Sequence, residues 1–163
     1  MKSDNEFTDG EMETSEAYDI LKLDNQLCFS LYVCSKEIIR MYKPLLDPYG
    51  LTYTGYIVMM ALWEGDQVTV KDLGRKLYLD SGTLTPLLKK LEVLGFIARS
   101  RSSQDERNVY IKLTKKGRDF RQEALQIPEK MVCTLDMDLV SAGQLLQGLH
   151  HMMTHIRHED LKD

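Results

Sequence analysis

Apolar side chains recur every three or four residues along much of the chain, which is the spacing of one face of an α-helix. The pattern predicts a first helix from about Ile20 to Leu46. Pro44 should bend this helix or begin a new turn, because proline lacks the amide donor. Further helices are predicted over residues 52–63, 70–78, 83–94, 115–127 and 137–158, the last two separated at Pro128.

Two shorter runs favour β-strands, with apolar and polar residues alternating in the second. They cover residues 96–101 and 108–113, and the polar segment 102–107 joins them as a hairpin. An extended segment over residues 67–69 leads into the helix at 70–78. The chain is therefore predicted to be mainly α with a small β-hairpin.

The hairpin directly follows the helices at 70–78 and 83–94. Polar residues around Asp80 can cap the second of these helices, and Gly95 can end it in the left-handed conformation. This order is the outline of a winged helix-turn-helix, whose second helix lies in the DNA major groove while the hairpin wing reaches a neighbouring groove. Each piece taken alone also fits an ordinary core element.

Composition excludes several classes of protein. The chain has 163 residues, 43% of them hydrophobic, which is enough for one core of ordinary size. No apolar run approaches the roughly 18 residues of a membrane helix, and residues 1–19 lack the basic and apolar regions of a secretory signal. Three cysteines in such a chain favour a reducing cytosol over a disulfide scaffold. We therefore expect a cytoplasmic protein with no membrane partner.

The net charge of −4 argues against nucleic acid as a partner only when it is averaged over the whole chain. Residues 1–19 contain seven acidic side chains against one lysine, and this composition predicts a disordered acidic tail over residues 1–18. Residues 65–121 contain thirteen Lys and Arg against seven Asp and Glu, a surplus of six positive charges. The predicted winged helix therefore lies in a basic segment.

The polar face of the helix at 83–94, with its preceding turn, carries hydroxyl groups first and cations further along, which suit phosphates and base edges. In the hairpin, Arg99 lies on the first strand and Arg107 at the tip, where a guanidinium suits the negative potential of a minor groove. Asp105 can fix Arg107 by a charge-assisted hydrogen bond. The predicted DNA-contacting residues are Ser81, Thr83, Thr85, Pro86, Lys89, Lys90, Arg99, Asp105 and Arg107.

Several segments together carry a family signature. They are Asn25-Gln26-Leu27-Cys28-Phe29, Tyr42-Lys43-Pro44-Leu45-Leu46-Asp47, Leu51-Thr52-Tyr53, the run Leu77-Tyr78-Leu79-Asp80-Ser81-Gly82-Thr83-Leu84-Thr85-Pro86-Leu87-Leu88-Lys89, Asp105-Glu106-Arg107 and Leu113-Thr114. In these segments the chain resembles the MarR family of winged-helix repressors, and specifically its organic-hydroperoxide-sensing branch. The resemblance implies a homodimer formed through residues 19–50 and 115–163, with two lobes at residues 51–114 binding a palindromic operator.

Cys28 lies in the first predicted helix, and from the residues alone it is either a small buried hydrophobe or a reactive thiol. With the helix predicted to begin near Ile20, Cys28 would lie two turns in, where the helix dipole does little for a thiolate. The resemblance implies that Cys28 is the reactive cysteine and that organic hydroperoxide is the inducer. It also implies that Tyr42 and Tyr53 of the partner subunit hydrogen-bond to the thiol and that Tyr32 lies near it.

Oxidation of Cys28 to a sulfenic acid leaves open which thiol completes the reaction. Members of the branch with two cysteines use one in the C-terminal helices of the other subunit, and Cys133 lies in that region. The resemblance thus implies an intersubunit Cys28–Cys133 disulfide that moves the DNA-reading helices off the operator, with a small cellular thiol as the alternative. Cys34 points about 240° away from Cys28 around the helix, and we expect it to be buried in packing.

Two alternatives keep the fold but change the signal. His151, His155 and His158 share one face of the last predicted helix, a spacing that can hold zinc. The other alternative is a phenolic ligand bound between the dimer region and the DNA-binding region, as in other MarR relatives. The sequence contains no nucleotide-binding glycine pattern, no nucleophile elbow and no pair of carboxylates flanked by apolar residues. We therefore predict neither an enzyme nor a cofactor.

Overall fold

The computed structural model describes residues 18–101 and 109–159, and of residues 157–159 it describes the backbone alone. The chain divides into two compact units, one ending at Tyr53 and one beginning at Thr54. Residues 1–17 of the predicted acidic tail and the tip of the hairpin lie outside the described residues. Across the described residues the fold is mainly α with a small antiparallel sheet, as the sequence predicted.

The first unit consists of one long helix with short 3-10 turns at both ends. Turns at Asp19–Leu21 and Leu23–Asn25 precede helix α1, which covers Leu27–Leu46, and a further turn covers Asp47–Tyr49. Helix α1 continues through Pro44 instead of restarting there.

The start of α1 corrects the sequence prediction, because the helix begins seven residues after Ile20. The side chain of Asn25 donates to the carbonyl of Asp19 at 2.8 Å, and that of Gln26 donates to the carbonyl of Ile20. Such side-chain bonds take carbonyls that a continuous helix would use for its own amides. Cys28 is therefore the second residue of α1 and not a residue two turns inside it.

The second unit contains the elements of the predicted winged helix. Among its described residues, no helix is long and apolar enough to cross a bilayer, and the same holds for α1. The elements are α2 (Tyr53–Glu64), β1 (Val68–Thr69), α3 (Val70–Leu77), α4 (Ser81–Val93), β2 (Ile97–Arg101), β3 (Val109–Leu113), α5 (Lys115–Ala124), α6 (Gln126–Leu135) and α7 (Leu139–Glu159).

The strands form a three-stranded antiparallel sheet in the order β1-β3-β2. The predicted hairpin is confirmed, with Ile97 opposite Leu113 and Arg101 opposite Val109. The sequence predicted the extended segment at β1 but not its pairing, which sets Val68 opposite Ile111. The sheet packs against α4 through apolar side chains that are almost fully buried, namely Leu84, Leu88, Leu91, Ile97 and Ile111.

The break between α5 and α6 lies at Leu125, three residues before the predicted position, and the short helix α6 was not predicted. A helix continued through this point would bring the ring of Pro128 against the carbonyl of Ala124, one turn earlier. With the break at Leu125, Pro128 lies in the first turn of α6, where an amide donor has no intrahelical partner to lose. The proline thus shifts the break toward the N-terminus.

Candidate functional site

Helix α4 is held at its first turn by an aspartate cap. The Asp80 carboxylate accepts hydrogen bonds from the amide of Thr83 at 2.9 Å and from its hydroxyl at 2.8 Å. At the other end, Gly95 adopts a φ of 78°, which favours glycine and ends the helix as predicted. The capping chemistry in the sequence therefore fixes both ends of α4.

The outer side of α4 brings together the DNA-contacting residues predicted on this helix. Leu84 and Leu88 anchor the inner side in the core, each 1% exposed. The outer residues present hydroxyl groups near the start of the helix and ammonium groups further along. All six are exposed, namely Ser81, Thr83, Thr85, Pro86, Lys89 and Lys90.

The cap on α4 should make stability depend on pH. Hydrogen bonds from the Thr83 hydroxyl and then its amide lower the pKa of Asp80 below its ordinary value of 3.8. A lowered folded-state pKa gives stability that is present above the ordinary value and lost as the pH falls through the folded one. The difference in unfolding free energy between wild type and Asp80→Ala is therefore expected to shrink below pH 3.8.

Urea unfolding at several pH values measures this difference. Asp80→Asn is the matched control, because it keeps an acceptor at the cap but does not titrate. Its stability relative to Asp80→Ala should stay constant across the same range. A wild-type advantage over Asp80→Ala that does not change with pH would contradict the prediction.

The wing is formed by β2, β3 and their connection. Of the DNA-contacting residues predicted on it, the structure describes Arg99 alone. Arg99 does not face solvent freely, because its guanidinium pairs with Glu92 at 2.6 Å. The pairing was missed because the two residues lie seven apart, and only the packing of β2 against α4 brings them together. Asp105 and Arg107 lie outside the described residues.

The sequence analysis did not predict that two basic residues of α3 lie beside the start of α4. Lys71 and Arg75, four residues apart on α3, share a cleft of about 370 Å³ with Ser81 at the start of α4. Arg75 also pairs with Asp72 at 3.6 Å. The spacing of the two cations was the available signal, since residues four apart lie on one side of a helix. They extend the exposed basic surface from α4 onto α3.

Cys28 is exposed in the first turn of α1. The first helical bond at this end runs from the amide of Ser30 to the carbonyl of Gln26 at 3.1 Å. Amides of the first turn have no carbonyl one turn earlier, and their partial positive charge favours an anion nearby. A thiolate at Cys28 would therefore lie at the end of the helix that favours it.

Two of the three predicted tyrosines lie together within the first unit, and the third lies elsewhere on α1. Tyr42 and Tyr53 are in ring contact, with centroids 4.7 Å apart, while Tyr32 is exposed one turn after Cys28. Burial, and next the neighbouring Tyr53, raise the pKa of Tyr42 above 10.0. Its hydroxyl therefore keeps its proton at neutral pH.

The two remaining cysteines are also exposed in the single chain. Cys133 lies near the end of α6 beside a cleft of about 470 Å³ that Asp136 and Asp138 also line. Cys34 corrects the sequence prediction, which expected a buried side chain. The reason is that α1 contributes one buried residue, Leu46, to the described protomer and leaves the rest of its length without such cover.

Apolar side chains are exposed along both long helices. No side chain that the structure describes on α7 is buried. Surfaces of this kind mark sites of association when they are contiguous. The large exposed residues are Leu27, Phe29, Val33 and Ile39 on α1, and Leu139, Val140, Leu145, Leu146, Met153 and Ile156 on α7.

The structure bears on one of the two alternative signals, the binding of zinc by histidines. Among the described residues, no three His, Cys, Asp or Glu side chains are placed to hold a metal, and the side chain of His158 lies outside them. His151 and His155 are adjacent, with ring centroids 4.4 Å apart, and the His155 ring bonds to the His151 carbonyl. The phenolic-ligand alternative, a site between the dimer region and the DNA-binding region, stays a prediction.

A short helix, a capped second helix with an exposed polar side and a β-hairpin define a winged helix-turn-helix regulator of transcription. The model of the family described as transcriptional regulator SarA/Rot matches residues 40–124. The chain belongs to this family, whose winged helix is of the MarR type, and it is a regulator, not an enzyme. The resemblance found in the sequence is thereby confirmed.

Relatives named as transcriptional regulators are similar to most of the chain. The organic hydroperoxide resistance transcriptional regulator of Bacillus subtilis is 51% identical over 68% of this chain and 76% of its own. The regulator SarZ of Staphylococcus epidermidis is 45% identical over 81% of this chain and 89% of its own.

Solved structures of AbfR are similar in fold. Reduced AbfR bound to DNA matches with a TM-score of 0.74 and 32% identity, covering 85% of this chain and 96% of that one. Disulfide-formed AbfR matches with a TM-score of 0.59 and 35% identity, covering 88% and 98%.

Proposed function

We propose that this regulator is a redox-responsive repressor, which releases operator DNA when an organic hydroperoxide oxidises Cys28. The observation that carries the proposal is the position of Cys28, exposed in the first turn of α1, where helix amides favour an anion. The 51% identity with a relative named for organic hydroperoxide resistance supports the choice of oxidant.

DNA is bound by the exposed side of α4, with Lys71 and Arg75 of α3 adding phosphate contacts. Residues 51–114 form this DNA-binding lobe, and residues 19–50 and 115–163 form the dimer interface. Exposed apolar side chains on α1 and α7 support such an interface. Two lobes related by a twofold axis read a palindromic operator, and the similarity to DNA-bound AbfR supports this mode of binding.

The dimer also completes the thiol site. Cys28 and Tyr42 lie fourteen residues apart on one helix, which separates them by about 21 Å along its axis. A tyrosine side chain cannot cover that distance, so Tyr42 reaches a Cys28 thiol only in another copy of the chain. We assign Tyr42 and Tyr53 as donors to the Cys28 of the partner subunit, with Tyr32 near the same thiol.

The chemistry needs one oxidant and two thiols. The Cys28 thiolate attacks the hydroperoxide, the O–O bond breaks, and after proton transfer the products are a sulfenic acid and an alcohol. The Cys133 thiol of the partner subunit then attacks the sulfenic sulfur, which forms a disulfide and releases water. The new bond requires the two Cα atoms to approach within about 7 Å, and the resulting shift of the dimer helices moves the α4 helices away from operator spacing.

A mobility shift with reduced protein tests this function. The probe is a DNA duplex enriched by the wild-type protein from a random-sequence pool. We expect cumene hydroperoxide to release the duplex and dithiothreitol to restore binding. Retention of the duplex by protein whose thiols are shown to be oxidised would contradict the proposal, and failure to enrich any sequence would contradict the DNA-binding part of it.

A further inference from the structure

One ion pair joins helix α4 to the wing. Glu92, in the last turn of α4, accepts two hydrogen bonds from Arg99 of β2 and forms an ion pair with its guanidinium. Its Oε2 atom lies 2.6 Å from Nη2 and 2.8 Å from Nε of the guanidinium, and its Oε1 atom lies 3.2 Å from the backbone nitrogen of Arg99. Because both the side chain and the backbone of Arg99 are held, β2 cannot slide or rotate against α4 without breaking these bonds.

The pair is better shielded from solvent than the other ion pairs of the described residues. The side chains of Arg99 and Glu92 are 29% and 35% exposed, whereas in every other such pair both side chains are at least 45% exposed. Less exposed pairs are less screened by salt. The hydrogen bonds from Arg99 also lower the pKa of Glu92, which keeps the carboxylate charged.

The pair bridges a short connection. Leu94, Gly95 and Phe96 alone separate α4 from β2, and Gly95 turns the chain in the left-handed conformation. We propose that Glu92 and Arg99 are positioning residues, which fix the wing relative to α4 and so set the spacing at which the two contact adjoining segments of DNA. The inference rests on the proposed DNA-binding role of α4 and the wing.

The direction in which Glu92→Gln changes the affinity for DNA distinguishes a positioning role from a purely electrostatic effect. Glu92→Gln removes a negative charge from the DNA-binding lobe, which by itself would raise the affinity for a polyanion. Loss of the positioning pair should instead lower it by roughly tenfold, the scale of one charge-assisted hydrogen bond. Arg99→Lys keeps the cation but loses the paired geometry of the guanidinium, so a positioning role predicts a similar loss and a phosphate contact predicts little.

The experiment uses reduced full-length protein and the duplex enriched by the wild type. Binding is measured by titration, and hydroxyl-radical footprinting reports which nucleotides remain protected. We expect both variants to lose the outer protections given by the wing while the central protections given by α4 persist. Glu64→Gln is the matched control, because it removes the same charge from the same unit at a carboxylate whose ion-pair partner, at 2.6 Å, is Lys76 of α3.

Three results would overturn the positioning role of Glu92 and Arg99. Glu92→Gln that binds as tightly as wild type or more tightly, or Arg99→Lys with a wild-type footprint, would overturn the positioning role. A uniform loss of all protections, as an unfolded lobe would give, would also overturn it. If the wild-type protein enriches no sequence, the proposed DNA-binding function is refuted. If it enriches a duplex that both variants protect as the wild type does, only the positioning role is refuted.

Discussion

Replacing Gly117 by alanine is expected to destabilise the protein by about 3 kcal/mol or more. A Cβ atom at this position would lie 2.1 Å from the carbonyl oxygen of Phe96. That oxygen cannot easily move away, because it accepts a hydrogen bond from the amide of Thr114 at 3.0 Å. The Gly117 carbonyl in turn accepts from the indole of Trp63 at 2.9 Å, so a shift of α5 would break this second bond.

Urea unfolding at fixed protein concentration measures the loss, because the stability of the proposed dimer would depend on concentration. Gly65→Ala is the matched control, since a Cβ atom there meets nothing within 4 Å. Its stability should change by less than about 1 kcal/mol. A Gly117→Ala protein as stable as the control would show that α5 and the chain at Phe96 can move apart without cost.

Helix α4 shows what the sequence predicts well. Its apolar residues keep the helical period, Asp80 supplies the cap and Gly95 supplies the stop, so local chemistry and core packing agree. The same agreement holds for β2 and β3, whose pairing is that of a simple hairpin. Where the local signals all indicate the same element, the sequence pattern alone was sufficient to predict that element.

The start of α1 and the partner of Arg99 show where the pattern fails. Apolar spacing continues to Ile20, but the side chains of Asn25 and Gln26 bond to earlier carbonyls and hold that segment in 3-10 turns. The position of Cys28 at a helix start therefore depends on bonds that a periodicity does not report. The pairing with Glu92 depends likewise on how a strand packs on a helix.

Replacing Cys28 by serine is expected to abolish the response to organic hydroperoxide while leaving the binding of reduced protein to DNA unchanged. A serine hydroxyl has nearly the same size as the thiol but is not a nucleophile toward peroxide at neutral pH, because the thiolate is the reacting species. Mobility shifts across a range of cumene hydroperoxide concentrations should show release for wild type and no release for Cys28→Ser. Release of Cys28→Ser from DNA would exclude Cys28 as the sensor.

The other two cysteines separate sensing from disulfide formation. Cys133→Ser should still form a sulfenic acid that dimedone traps, but it should give no covalent dimer on non-reducing electrophoresis. Cys34→Ser is the matched control, since Cys34 is also exposed in the single chain but points away from Cys28. A covalent dimer that persists in Cys133→Ser would make another thiol the resolving one. A Cys34→Ser protein that forms no dimer would identify that thiol as Cys34, because the structure describes these three cysteines and the sequence contains no others.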